Sequence, residues 1–319
     1  MDKLPGYGRS VNEVMAPTFA AYEELLKAKA SDIRSARRET HTYGPHPRHV
    51  LDVYFPDKPP SPPTTTSTTR TTKTVLVFMH GGGFYSGARV NEKYAEGLIF
   101  ANLGRFFTSK YGVTVVVPDY RLVHHGAKYP SGGEDLAHVV DWIRDELATQ
   151  DGYESIDLVL SGNSAGGVHV STFLLDPAFA AGRDAAIAGA TGVRLRGAVC
   201  LGTPFHWGEW CGETLQAYLG EGKTFENSAI GRLQEAVNKG SVSRLSEVKF
   251  LIMISEMDPP LMFETAEEFK RLWPGEDIEI QVLEGHNHIS PQLSLSTGIE
   301  REEAWGVRLA EFLKTCESD

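Results

Sequence analysis

Short apolar runs recur along the chain, with helical patterns filling most of the intervals. Val75-Leu-Val-Phe-Met79, Val113-Thr-Val-Val-Val117, Ile156-Asp-Leu-Val-Leu160, Ala198-Val-Cys-Leu201, Phe250-Leu-Ile-Met-Ile254 and Ile278-Glu-Ile-Gln-Val-Leu283 each predict a strand. An earlier segment, His49-Val-Leu-Asp-Val-Tyr-Phe55, predicts another. Apolar residues at helical spacing mark 92–110, 133–149, 165–175, 261–272 and 301–315. An amphipathic helix is predicted over 11–30, with Val14, Phe19, Tyr22, Leu25 and Leu26 at helical spacing. Strands that lack polar alternation are covered on both faces. The pattern therefore predicts an α/β fold with a mostly parallel sheet and helices on both sides.

Two intervals break the rhythm. Residues 58–74 are dominated by threonine and proline and predict a low-complexity surface loop, tolerated because loop-closure entropy grows slowly with length. Residues 203–246 begin with aromatics and continue with glycine, serine and charge, which predicts an excursion over the sheet and a lid or cap. A length of 319 residues admits one domain or two. Strand–helix alternation crosses every candidate boundary, so a single domain over 1–319 is expected, with residues 1–30 contributing a helix to a small cap.

Composition narrows the function classes. Hydrophobic residues are 41% and charged residues 23%, enough apolar surface for a packed core. The net charge of −11 disfavours nucleic acid and anionic membranes as partners. No run of about 18 apolar residues is present, and the first residues lack the apolar stretch of a signal peptide. Cys200, Cys211 and Cys316 make no disulfide framework, and Cys200 reads as a buried strand residue. A soluble protein of the reducing cytoplasm is expected. The adjacent His124 and His125 lack a third ligand, so no metal is expected. Oligomeric state leaves no signal.

The chemistry concentrates in four places. Gly162-Asn-Ser-Ala-Gly-Gly167 follows the strand ending at 160 and precedes a helix, the context of a Gly-x-Ser-x-Gly nucleophile turn. Side chains at 162 and 166 would clash in so sharp a turn, and Ser164 would sit at a helix N-terminus. His80-Gly-Gly-Gly-Phe84 follows the strand 75–79. Its glycines can present N–H groups, so Gly82 and Gly83, with Ala165, are the expected oxyanion donors. A phosphate loop would need Lys-Ser/Thr or GxGxxG, and neither is present. His80 is expected to brace the glycines.

A serine nucleophile needs a base and an orienting carboxylate, and Gly-x-Ser-x-Gly turns take them in the order serine, acid, histidine. After the strand 250–254 come Glu256 and Asp258, of which Asp258 is the stronger candidate because Pro259 and Pro260 stiffen its loop. After the strand 278–283, either His286 or His288 could be the base. Phe84, Tyr85, Phe205, Trp207 and Trp210 lie near these motifs and predict either an apolar or aromatic substrate pocket or packing of the cap on the sheet.

Together these motifs resemble the α/β-hydrolase superfamily, in the branch that holds carboxylesterases, hormone-sensitive-lipase-like esterases and arylformamidases. Pro118-Asp-Tyr-Arg-Leu122, Tyr129-Pro130 and Glu134-Asp135 are similar to a segment of that branch, as is Leu51-Asp-Val-Tyr-Phe-Pro56. The likeness runs from about residue 40 to 315. It implies the α/β-hydrolase fold and a serine hydrolase that needs no cofactor. It selects His288, followed by Ile289 and Ser290, as the base and leaves His286 to brace the loop. The expected reaction is cleavage of a carboxylic ester of a small to medium, apolar or aromatic substrate through an acyl-enzyme, with two alternatives: the amide of N-formylkynurenine, or a pathway hydrolase or cyclase reaction on the same triad. Residues 58–74 and 203–246 depart from the family pattern.

Overall fold

The computed structural model describes residues 2–57, 72–148, 155–208, 212–242, 244–275 and 278–317. Among them, eight strands form one sheet: β1 (Arg37–Thr42), β2 (Val50–Phe55), β3 (Thr72–Met79), β4 (Thr114–Pro118), β5 (Ser155–Asn163), β6 (Val193–Leu201), β7 (Lys249–Ser255) and β8 (Glu279–Leu283). The spatial order is β1-β2-β4-β3-β5-β6-β7-β8. β2 runs antiparallel to both neighbours, and β4, β3 and β5 through β8 run parallel. This is the alpha/beta hydrolase fold.

Alternation along the central strands divides the interior in two. Val75, Val77 and Met79 of β3, with Leu158, Leu160, Cys200 and Ile252, face one core. Leu76 and Phe78, with Val159, Val199 and Leu251, face the other. The first core is covered by α4 (Ser131–Trp142), α5 (Ala165–Leu175), α6 (Ala180–Ala188), α8 (Ala229–Asn238) and α9 (Pro260–Leu272). The second is covered by α1 (Val11–Ala28), α3 (Ala101–Tyr111) and α11 (Glu300–Thr315). Three short helices complete the set: α2 (Ala30–Arg34), α7 (Glu213–Leu219) and α10 (Ser290–Ser294). No helix among the described residues is long and apolar enough to cross a membrane. Cys200 is buried in β6, where burial pushes its thiol up to about 12. Cys211 and residues 58–71 of the Thr/Pro tract lie outside the described residues.

Three expectations change. The polar run Arg37-Arg-Glu-Thr-His-Thr42 forms the edge strand β1, which apolar patterning could not mark because an edge strand takes charge without cost. The helix expected over 92–110 begins only at Ala101, because Ala95, Glu96 and Phe100 hold φ of 48°, 51° and 71°. The interval 203–246 divides: Ala229, Ile230 and Leu233 of α8 join the first core, whereas Leu215, Tyr218 and Leu219 of α7 join a smaller aromatic cluster near Ser164.

His169 of α5 is fully buried, and a Cβ on Gly132 of α4 would overlap its ring. Burial pushes its imidazole down to about 3, against the opposing pull of the Asp135 carboxylate. An unfolded chain takes up that proton near pH 6.5, so between these values the unfolded state holds more protons, and stability is lost as the pH falls from 6.5 toward 3. The unfolding free energy of wild type minus that of His169→Gln should therefore be smaller at pH 5 than at pH 7, by about 1–2 kcal/mol. Denaturant titrations at the two pH values measure it, and an unchanged difference would contradict the burial argument.

Candidate active site

β5 ends at Asn163 and α5 begins at Ala165, so Ser164 alone carries the reversal, at φ 53° and ψ −119°. Holding a serine there costs about 1–3 kcal/mol. A Cβ on Gly162 would overlap the backbone of Gly166, and one on Gly166 would overlap the Met79 carbonyl at the end of β3. The glycines are demanded by close approach, as their spacing predicted. The Ser164 N–H donates to the Leu201 carbonyl at 2.8 Å, tying the turn to the end of β6.

The glycine loop follows β3. Gly82 has φ 135°, and a Cβ there would overlap the Ser86 carbonyl. The N–H groups of Gly82, Gly83 and Ala165 have no hydrogen-bond partner among the described residues. The loop lies against the serine turn: a Cβ on Gly81 would stand 2.7 Å from Asn163 Oδ1 and 3.4 Å from Ser164 Cβ. His80 stacks on Tyr120 at 4.2 Å, and the Tyr120 hydroxyl donates to the His80 carbonyl at 2.8 Å. Its ring faces this brace.

The acid and histidine loops meet beside β6. Asp258 is fully buried, and its Oδ1 lies 2.6 Å from His288 Nδ1. Its Oδ2 accepts the Ser255 N–H at 2.8 Å. Glu256 instead accepts the Gly285 N–H. His286 contacts Ser290 Oγ at 2.8 Å, and burial pushes it down to about 4. Gly202 connects the two halves of the site. A Cβ on it would stand 3.1 Å from His288 Nδ1 and 3.3 Å from Asp258 Oδ2, and the preceding Leu201 carbonyl holds the Ser164 N–H.

Two supports had no sequence signal. Arg9 donates to the carbonyls of Glu256 and Asp258, both at 2.9 Å. Asn287 donates to Thr18 Oγ1 of α1 at 2.8 Å. A lone arginine before an amphipathic helix looks like any solvated charge, so these contacts emerge only from the fold.

The expected aromatic residues separate. Phe84 stacks on Tyr218 of α7 at 4.3 Å, with Trp207 6.2 Å away, and all three join Ala165 and Val168 in the smaller cluster. Tyr85 is 58% exposed and sits against His124. Phe205 is not a lining residue: it is 0% exposed and stacked on Phe269 in the first core, because the chain after β6 drops toward α9 before turning outward. Trp210 lies outside the described residues. Tyr218 was missed because α7 carries too short an apolar pattern to stand out.

A family model described as the alpha/beta hydrolase fold matches residues 76–185, which include both the glycine loop and the serine turn. Several solved esterases have similar structures. Carboxyl esterase 2 of the mycorrhizal fungus Tuber melanosporum is 17% identical, covering 88% of this chain and 87% of that one, with a TM-score of 0.57. A thermophilic esterase of Thermogutta terrifontis is 20% identical, covering 89% and 93%, with a TM-score of 0.59. Esterase B of Lactobacillus rhamnosis, solved in a form inhibited by a tributyrin phosphonate, is 16% identical, covering 94% and 95%, with a TM-score of 0.56. The sheet order, the reversal at Ser164 and these likenesses agree on the alpha/beta hydrolase fold.

Proposed function

We propose that this chain is a carboxylic ester hydrolase that works through an acyl-enzyme on Ser164. The observation that carries the reading is the 2.6 Å contact of Asp258 with His288, held beside a strained serine turn. In the reaction, His288 takes the Ser164 proton through Nε2 as Oγ attacks the ester carbonyl. The carbonyl oxygen gains the negative charge, and the unpartnered N–H groups of Gly82, Gly83 and Ala165 receive it. His288 then gives its proton to the leaving alcohol. A water, deprotonated by the same imidazole, attacks the acyl-enzyme, and the acid departs as Ser164 recovers its proton. Asp258 holds the imidazole with Nδ1 protonated and stabilises its charged form.

The proposed substrate is small to medium in size with an apolar or aromatic group. Phe84, Trp207 and Tyr218 support this, because they cluster with Ala165, one of the proposed oxyanion donors. In this reading Trp207 and α7 act as the cap, which narrows the lid to the first half of 203–246. Inhibition of the similar Lactobacillus esterase by a phosphonate supports the same carbonyl chemistry, since phosphonates imitate its tetrahedral intermediate.

Ser164→Ala should lower kcat/KM on p-nitrophenyl esters by about 10⁴-fold or more while the circular dichroism spectrum is retained. Near-wild-type turnover by this variant would remove Ser164 from the chemistry. Asp258→Asn should cost about 10⁴-fold in kcat, whereas Glu256→Gln should cost less than about tenfold. Equal losses in the two variants would mean that the carboxylate was wrongly chosen. A panel of short p-nitrophenyl esters and N-formyl anilides should show higher kcat/KM on the esters. A reversed order would transfer the proposal to arylformamidase chemistry on the same residues, and a product whose mass shows no added water would indicate cyclisation.

A further inference from the structure

The loop that carries Asp258 is a short turn, Ser255-Glu-Met-Asp-Pro-Pro260, leading into α9. In such a turn the carbonyl of residue i is met by the N–H of residue i+3 or i+4. For Glu256 those residues are Pro259 and Pro260, and proline has no N–H to give. Asp258 is no better served, because the N–H of Met262, its i+4 residue, goes to the Pro259 carbonyl. Among the described residues, neither the Glu256 nor the Asp258 carbonyl takes a backbone N–H.

The N–H groups of the same loop are already spent. Glu256 donates to Leu283 and Met257 to His286, each at 3.0 Å, and Asp258 donates to Ser255 at 2.9 Å. The first two bonds join the acid loop to the histidine loop. They leave two carbonyls, one on either side of Met257, without a local donor.

Arg9 supplies both. Its Nη1 donates to the Glu256 carbonyl and to the Asp258 carbonyl, each at 2.9 Å, from 247 and 249 residues away. One nitrogen carries both bonds, so the two carbonyls are held to a single point and the turn between them is fixed. Arg9 is itself placed by α1, which starts two residues later and buries Val14, Tyr22 and Leu26 in the second core. Both bonds go to the backbone, so the Asp258 carboxylate stays free for His288 and the Ser255 N–H.

We propose that Arg9 is a positioning residue, which holds the Asp258 carboxylate on His288 by clamping the two carbonyls that lack a local donor. This role rests on the hydrolase reading, in which Asp258 orients His288, and it gives the N-terminal segment a part in that chemistry.

Two variants of the whole chain test it. Arg9→Met keeps the stem and removes the donors, and Arg9→Lys restores one nitrogen able to serve both carbonyls. Arg9 is exposed, so neither change disturbs the core. On p-nitrophenyl acetate, kcat should fall about tenfold in Arg9→Met with KM within about twofold, and Arg9→Lys should lie within about threefold of wild type. In proton NMR spectra the Nδ1 proton of His288, identified by its absence in His288→Ala, should shift or broaden in Arg9→Met and return in Arg9→Lys. Unchanged kcat in Arg9→Met, a change in KM alone, or an unmoved Nδ1 proton would overturn the proposal. So would an Arg9→Lys as slow as Arg9→Met, because the loss would then not follow the donors. A wild type that hydrolyses no ester would refute the hydrolase reading instead, and the Nδ1 proton would still decide whether Arg9 holds the pair.

Discussion

Strand β5 must reverse into helix α5 within one residue, and the rest of the site is arranged around that reversal at Ser164. The turn closes only because Gly162 and Gly166 let backbone meet backbone, and Gly166 rests directly on the Met79 carbonyl at the end of β3. The glycine loop begins at the residue after next. Serine turn and glycine loop are therefore one packed unit. The strain stored there, about 1–3 kcal/mol, is small beside the burial of the parallel strands on both faces.

The other half of the proposed machinery depends on contacts far apart in sequence. Asp258 and His288 leave β7 and β8 on separate loops and meet across Gly202. Arg9 and Thr18 reach these loops from the N-terminal segment, 249 residues from Asp258 and 269 residues from Asn287. The aromatic cluster of Phe84, Trp207 and Tyr218 then approaches from the glycine loop on one side and the 203–246 interval on the other. In the proposed function, chemistry and substrate fit thus have different supports. The first is built on strand ends, and the second on a short helix and its flanks.

That division explains what could be read in the residues. The central strands were legible because burial on both faces demands uninterrupted apolar runs, and the serine turn because it demands glycine at two fixed places. Between Glu256 and Asp258, the prolines pointed to the residue that meets His288. The choice between His286 and His288 needed the family resemblance. β1 was invisible because an exposed edge makes no apolar demand. The left-handed residues Ala95, Glu96 and Phe100 were invisible because nothing in an alanine or phenylalanine announces a positive φ. Phe205 resembled a lining residue by position in sequence, and only packing on Phe269 reveals it as core.

The central claim is that Ser164 becomes acylated. Intact-mass measurement after treatment with a fluorophosphonate, followed by peptide mapping, tests it most directly. The account predicts a single adduct on Ser164, lost in Ser164→Ala and strongly slowed in His288→Ala. An unmodified protein, or an adduct that maps to another residue and persists in Ser164→Ala, would contradict it.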